Sequence, residues 1–400
     1  MAADAPWLTI IGIGEDGVTG LPSIARAALE EAQFITGAPR HLALLPPLKA
    51  ECHAWPAPFE DGVARLLTRR GQPTVMLASG DPFWFGAGAS ITRHLGAGEW
   101  IAYPGPSTFS LAAARLGWAL QDTLCHGLHA APLARLRSDL APGGHAIVLL
   151  RDGAVVGELA AFLTREGFGA STLHVMEALG GPRERIRQVR ADDYDLSDVA
   201  HPVAVGIDIA GDGGVMPRAS GIGDQWFDHD GQITKRPVRA LTLSALAPRP
   251  GETLWDIGCG SGSVAIEWLL SHPSTQAVAF EADPARAARA RANADRLGVD
   301  RLTIIEGRAP AVLHGRARPD AIFIGGGLSN ELLERIMDLR GKPTRLVANA
   351  VTLESESLLA HWHARIGGDL LRIELATAVR LGTRRGWRSS YPLVQWSVIL

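Results

Sequence analysis

Residues 254–263, LWDIGCGSGS, constrain the chain more than any other stretch. An apolar run ends at Asp256, glycines follow at Gly258, Gly260 and Gly262, and the helix-like VAIEWLL comes next. The order predicts a buried strand, a tight turn and a helix N-terminus. The glycines let backbone approach a ligand closely, and the helix start offers unpaired N–H groups to an anion, here a carboxylate rather than a phosphate. Asp256 stands before the first glycine, where dinucleotide turns usually carry an apolar residue. Glu281 closes the next strand, VAFEAD, at the spacing of a ribose-binding acid. Together these favour S-adenosylmethionine over a dinucleotide. The competing reading is a plain glycine turn with a solvated Glu281.

Four hundred residues, 46% hydrophobic and 20% charged, predict two sizeable cores. The start MAADAPWLTIIGIG has no basic segment and no long apolar run before its first strand, so neither a signal peptide nor a membrane span is expected. Cys52, Cys125 and Cys259 are far apart and odd in number, which predicts a reducing, cytoplasmic setting with no disulfide framework and no zinc site. His361 and His363, two apart on a helix-like segment, point away from each other and predict no metal centre. A net charge of −3 argues against a chain built to grip a nucleic-acid backbone.

The chain opens with a second strand and glycine turn, WLTIIGIG, and helical spacing over 23–34. Strands are predicted at 74–78, at WIAY, and at 145–150, 172–177 and 203–209, with helices from Ala89, over 109–116 and around 156–165. This alternation means α/β architecture. Residues 211–220, GDGGVMPRAS, lack periodicity and read as a linker between domains at 1–210 and 221–400. After it come an amphipathic helix over 234–246 and strands at 253–257, 277–281, 302–306, 321–324 and 345–348. Late strands at 371–376 and 394–399 are joined by a loop bearing Arg380, Arg384, Arg385 and Arg388. This is the order of a Rossmann-like class I methyltransferase with an antiparallel last strand.

The pieces GIGDQWF, ITKRPVRALTLSAL, LWDIGCGSGSVAIEW, IIEGRAPAVL, DAIFIGGG and ANAVTLES resemble the precorrin methyltransferase family CbiT. The resemblance implies that Thr234, Gly258, Cys259, Gly260, Ser261, Gly262, Glu281, Gly307, Arg308 and Ala309 contact S-adenosylmethionine, with Glu281 accepting from the ribose hydroxyls. The pieces IIGIG, ASGDPFWFGAG, PGPSTFSLAAARLG, HGLH and MEALGGPRERI resemble the tetrapyrrole methylases of the CbiE type, a fold of two α/β lobes. That resemblance implies a second S-adenosylmethionine site at Gly80, Asp81 and Pro82 and at Gly105 and Ser107. The family continues its first glycine turn as Gly-Pro-Gly, whereas this chain has Glu15-Asp16-Gly17, which counts against cofactor contact by that loop.

Order and linker together resemble the fused precorrin C5,15-methyltransferases (decarboxylating) of cobalamin biosynthesis. The implied reaction methylates precorrin-6B at carbons 5 and 15 and removes the ring C acetate carboxyl. A sulfonium methyl is already activated, so neither metal nor covalent nucleophile is needed. A carboxylate-studded macrocycle calls for arginines. Arg239, Arg380, Arg384 and Arg388 are the substrate-binding candidates, with Lys235, Arg236 and Arg385 beside them. A homo-oligomer acting on a small tetrapyrrole is expected, with no nucleic-acid or membrane partner. The rivals are an RNA methyltransferase, opposed by Gly325-Gly326-Gly327 where base-methylating enzymes carry an acid or Asn and two prolines, and a chain with one catalytic and one non-catalytic binding half.

Overall fold

A computed structural model describes residues 6–339 and 341–400. Two units emerge: one runs up to Leu133 and resumes over Leu140–Gly214, and the other comprises Ala134–Asp139 and Val215–Leu400.

The first unit contains two five-stranded sheets. One is wholly parallel, in the order β3-β2-β4-β1-β5, from β1 (Leu8–Ile13), β2 (Phe34–Gly37), β3 (Glu51–Ala54), β4 (Thr74–Ser79) and β5 (Trp100–Tyr103). The other, in the order β6-β7-β10-β8-β9, uses β6 (Thr123–Gly127), β7 (His145–Leu150), β8 (Thr172–Glu177), β9 (Arg185–Arg190) and β10 (Val203–Asp208), with only β6 and β7 parallel. Strands β1 and β4 are covered on both faces and so read as continuous apolar runs. Phe34, predicted as the end of a helix, instead starts β2, because the helix stops at Glu31.

Three glycines bring the ends of β1, β4 and the turn after β5 into backbone contact. A Cβ on Gly12 would lie 1.8 Å from the Gly80 carbonyl oxygen and 2.6 Å from the Gly105 nitrogen. No side chain fits there.

The second unit is a seven-stranded sheet in the order β13-β12-β11-β14-β15-β19-β16. Its strands are β11 (Thr253–Ile257), β12 (Gln276–Glu281), β13 (Thr303–Glu306), β14 (Ala321–Ile324), β15 (Arg345–Ala350), β16 (Asp369–Ile373) and β19 (Leu393–Ile399), the first five parallel and β19 antiparallel to both of its neighbours. One face packs on Trp268, Leu243 and Phe323, the other on Trp255, Trp362 and Trp396. Consecutive residues of β11 feed opposite faces, which is why Leu254 and Trp255 are both fully apolar and buried. The order reverses at β11 and β14, the switch point where such sheets bind ligands.

The arginine-bearing segment read as a loop is a separate hairpin, β17 (Ala376–Leu381) and β18 (Arg384–Ser389). The helix expected from Thr234 starts at Arg236, with Pro237 in its first turn. Within this unit Arg135 pairs with Asp300 through two bonds of 2.8 and 3.0 Å, and Arg137 lies 4.6 Å over the Trp226 ring. Among the described residues no helix is long and apolar enough to cross a membrane.

Candidate functional sites

A cavity of about 1030 Å³ opens at the carboxyl ends of β11, β12, β14 and β15. Gly258, Gly260 and Gly262 all have positive φ, from +58° to +76°. A Cβ on Gly258 would meet Gly326 backbone at 2.7 Å, whereas one on Gly260 would come no nearer than 3.9 Å to the Gln232 carbonyl oxygen, an ordinary contact. One glycine is therefore required by the close approach of two loops and the other by its dihedral alone.

Glu281 ends β12 and is 7% exposed. One carboxylate oxygen accepts from the Gly260 N–H at 2.8 Å and the other from Asp283 N–H at 3.0 Å. Asp256 is wholly buried. Its Oδ2 accepts from Ala265 N–H at 3.0 Å, while Oδ1 has no hydrogen-bond partner among the described residues. Burial pushes its carboxyl up to about 7, against the pull of the Ala265 N–H, and Glu281 adds to the rise. The same desolvation lifts the Cys259 thiol well above its ordinary range, so this cysteine is no thiolate nucleophile. An orphaned buried acid, a second acid fixed by backbone donors and a side-chain-free cradle together fit a cationic, ribose-bearing cofactor.

Thr234, Gly258, Cys259, Gly260, Ser261, Glu281, Gly307, Arg308 and Ala309 all border this cavity, as do Lys235, Gly325, Gly326, Gly327 and Asn349. Gly262 does not. It stands before the helix Ser263–Ser271, and a Cβ there would press on Ala290 at 3.1 Å, so its task is helix packing.

Arg239 must be reassigned. Its side chain is fully buried, its Nε donates to Glu267 at 2.5 Å, and its Nη groups donate to Asp224 and to the Thr234 and Ile222 carbonyls. Glu267 also accepts from Gly221 and Ile222 N–H. A guanidinium committed in this way cannot receive a substrate carboxylate. It fastens the segment that carries Thr234 and Lys235 to the helix behind the cavity.

Arg380, Arg384 and Arg388 do not border the cavity, which is reached instead by the foot of the hairpin through Leu375, Ser390 and Tyr391. Strand pairing divides them. Arg380 opposes Arg385 on the face that carries Trp387, and Arg384 lies on the other face with Arg388 and Leu381. Three candidates grouped by sequence thus form no single clamp. Asn349, which the sequence reading passed over, is held by Thr242 at 3.0 Å and Gln395 at 2.9 Å, both buried.

The first unit has its own cavity, about 480 Å³, bordered by Gly80, Asp81 and Ser107. Pro82 and Gly105 are not on its wall. Gly105 N–H donates to the Gly80 carbonyl at 2.9 Å, which places it in the backbone crossing beneath. Ser107 caps the helix Thr108–Leu116 through Ser110 N–H at 3.0 Å. Asp81 accepts from Phe83 N–H at 2.8 Å.

Residues not foreseen dominate this wall. Arg40 donates to Glu15 at 2.8 Å and to the Ser79 hydroxyl, and Glu15 also accepts from Arg183 at 3.0 Å. Glu15 belongs to the Glu15-Asp16-Gly17 departure, so that loop anchors a cation. His41 lies 3.1 Å from the Ser79 hydroxyl, and burial, aided by the Arg40 charge, drives it down to about 3. It is neutral at physiological pH. No local sequence pattern marks Arg40 or His41, because their partners are 25 and 38 residues away.

Residues 225–400 match the family described as "Precorrin methyltransferase domain", and residues 8–195 match "Tetrapyrrole (Corrin/Porphyrin) Methylases". A Sinorhizobium protein curated as precorrin-6Y C(5,15)-methyltransferase [decarboxylating] is 50% identical over 398 residues, spanning 98% of this chain and 96% of that protein. A Mycobacterium tuberculosis protein of the same name is 41% identical, over 98% and 99% of the two chains. A Salmonella typhimurium cobalt-precorrin-6B C(15)-methyltransferase (decarboxylating) is 35% identical over 167 residues, which is 40% of this chain and 85% of that shorter protein.

Proposed function

The chain belongs to the precorrin-6Y C(5,15)-methyltransferase (decarboxylating) family, and from that premise we propose that its two units divide the reaction, each with its own S-adenosylmethionine. As a member it is a methyltransferase of cobalamin biosynthesis that depends on S-adenosylmethionine. The N-terminal unit methylates carbon 5 of precorrin-6B. The C-terminal unit methylates carbon 15 and removes the ring C acetate carboxyl. The observation that carries the division is two separate cavities at glycine turns, one in each unit. The Salmonella relative, whose name joins carbon 15 methylation to decarboxylation in a chain matching 40% of this one, supports giving both steps to one half.

When bound, S-adenosylmethionine supplies an electrophilic methyl on a positive sulfonium. In the C-terminal unit Glu281 would hold the ribose hydroxyls, the turn from Gly258 to Ser261 would admit the cofactor, and the buried charge of Asp256 just before that turn would favour a cation. Gly325, Gly326 and Gly327 keep the adjoining wall free of side chains. In the N-terminal unit Gly80, Asp81 and Ser107 border the corresponding space. The protein's task is to place an electron-rich ring carbon in line and to exclude water. Loss of the acetate carboxyl breaks a C–C bond and releases carbon dioxide, the conjugated macrocycle takes up the electron pair, and a proton from solvent then completes the methyl group, so no Schiff base is required. Homo-oligomerisation and a cytoplasmic location complete the proposal. Exposed Leu381 and Trp387 on the hairpin support the former.

The test uses the full chain. Calorimetry should count two S-adenosylmethionine sites of ordinary affinity in the wild type, and in Glu281→Ala one such site beside one that is weakened. Given precorrin-6B and S-adenosylmethionine at a concentration that fills only the intact site, that variant should yield product that has gained at most one methyl and kept its carboxyl. Loss of carbon dioxide by Glu281→Ala would sink the division.

A further inference from the structure

Phe85 has φ +56°. A bulky aromatic residue in the left-handed region is an outlier whose strain the surroundings must sustain, and burial does not account for it, since Phe85 is 51% exposed. Trp84 beside it is 37% exposed. Both rings border the N-terminal cavity and both pack on the buried Phe109, at centroid distances of 4.9 Å for Trp84 and 5.8 Å for Phe85. Gly127 makes room for the arrangement: a Cβ there would lie 2.6 Å from the Phe85 ring. A rigid pair of half-exposed rings is thus seated on a buried third.

The same cavity is bordered by Arg40, Arg151, His129 and His201, with Glu15 and Asp81 as its acids. Glu15 is taken up by Arg40 and Arg183, and Asp81 by the Phe83 N–H. Arg40 is held by Glu15 and Ser79, and a guanidinium has five donors in a fixed fork, so it keeps some for a ligand.

We propose that Trp84 and Phe85 form a stacking shelf for the conjugated face of the tetrapyrrole in the N-terminal unit, and that Arg40 receives one of its side-chain carboxylates. This rests on the reading that the N-terminal unit acts on the macrocycle. Stacking gains from rings that are wet before binding and covered after it, which explains why these two stay exposed at the price of strain at Phe85. Arg40 adds orientation, because a fork holds a carboxylate in one plane.

The probe is uroporphyrin, an octacarboxylate porphyrin, titrated into the full chain and followed by its absorption band and by tryptophan quenching. Phe85→Asn removes the ring and places at φ +56° a residue that tolerates it. The expected result is at least fivefold weaker binding at one class of porphyrin site, the scale of one lost aromatic–base stack, with Tm unchanged or raised. Arg40→Gln should weaken uroporphyrin more than the tetracarboxylate coproporphyrin. Unchanged porphyrin binding in Phe85→Asn overturns the shelf alone. A Tm lowered by several degrees overturns it too, because the ring would then be structural. A wild-type chain that binds no porphyrin sinks the tetrapyrrole reading of this cavity, and the shelf with it.

Discussion

Replacing Arg239 by methionine separates two accounts of this residue. If it clamps a substrate carboxylate, Arg239→Met leaves the fold intact and raises KM. The structure demands the opposite. The variant keeps Glu267 buried, still bound to the Gly221 and Ile222 N–H groups, but strips its charge partner, and it frees the Thr234 and Ile222 carbonyls. Breaking a buried pair from one side costs about 3–5 kcal/mol. For a unit of this size each kcal/mol moves Tm by about 2–4 °C, so the C-terminal transition should fall by roughly 6–20 °C in a thermal scan of the full chain. Cofactor affinity at the C-terminal site should fall as well, since Thr234 and Lys235 lose their anchor. Arg239→Met combined with Glu267→Leu removes both charges and should recover much of the loss. An unshifted Tm with a raised KM would refute this account and restore the clamp.

Three further outcomes are expected. Glu281→Ala loses a charged acceptor, so calorimetry should show C-terminal cofactor affinity reduced by about 1.5–3 kcal/mol, roughly ten- to a hundredfold. Asp256 has a folded pKa of about 7 against an ordinary 3.8. Between those values the folded state holds a proton that the unfolded state has lost, so stability from this group declines as pH rises from about 4 to 7. Asp256→Asn should flatten that decline in denaturant titrations. Binding a cation in the adjoining cavity should release the Asp256 proton below pH 7, seen as a buffer-dependent binding enthalpy. His41 has the reverse sign: its folded pKa is depressed from 6.5 to about 3, so its contribution is complete above pH 6.5 and is lost as pH falls towards 3, on the order of several kcal/mol. His41→Gln should remove that acid-side slope from the unfolding of the N-terminal unit.

What the sequence disclosed and what it hid follow one physical rule. The glycine turn with Glu281 was legible because its requirements are local: three positive-φ positions and an acid at the end of the next strand, within 24 residues. The α/β order was legible for the same reason, since parallel strands buried on both faces are mostly apolar runs. Proximity to a motif, by contrast, says nothing about which way a side chain faces. Arg239 adjoins the site in sequence, yet with Thr242, Leu243 and Leu246 it occupies the i, i+3, i+4, i+7 stripe that the helix turns inward. That stripe, together with Glu267 as the one acid in VAIEWLL, was the available sign of a buried pair. Arg380, Arg384 and Arg388 fail by the other period. In a hairpin, residues an even number apart share a face only within one strand, and the Gly382-Thr383 turn resets the count, so Arg384 joins Arg388 and leaves Arg380 across the sheet. Arg40 and His41 carry no local signature at all. Their environment exists only once β2 and β4 pair and bring Ser79 beside them, and a different long-range contact, with the end of β6, lets an exposed, strained Phe85 rest on Gly127. The glycine cradle of the C-terminal unit is thus a property of contiguous chain, whereas the walls that would choose an acceptor are assembled from segments the sequence gives no reason to join.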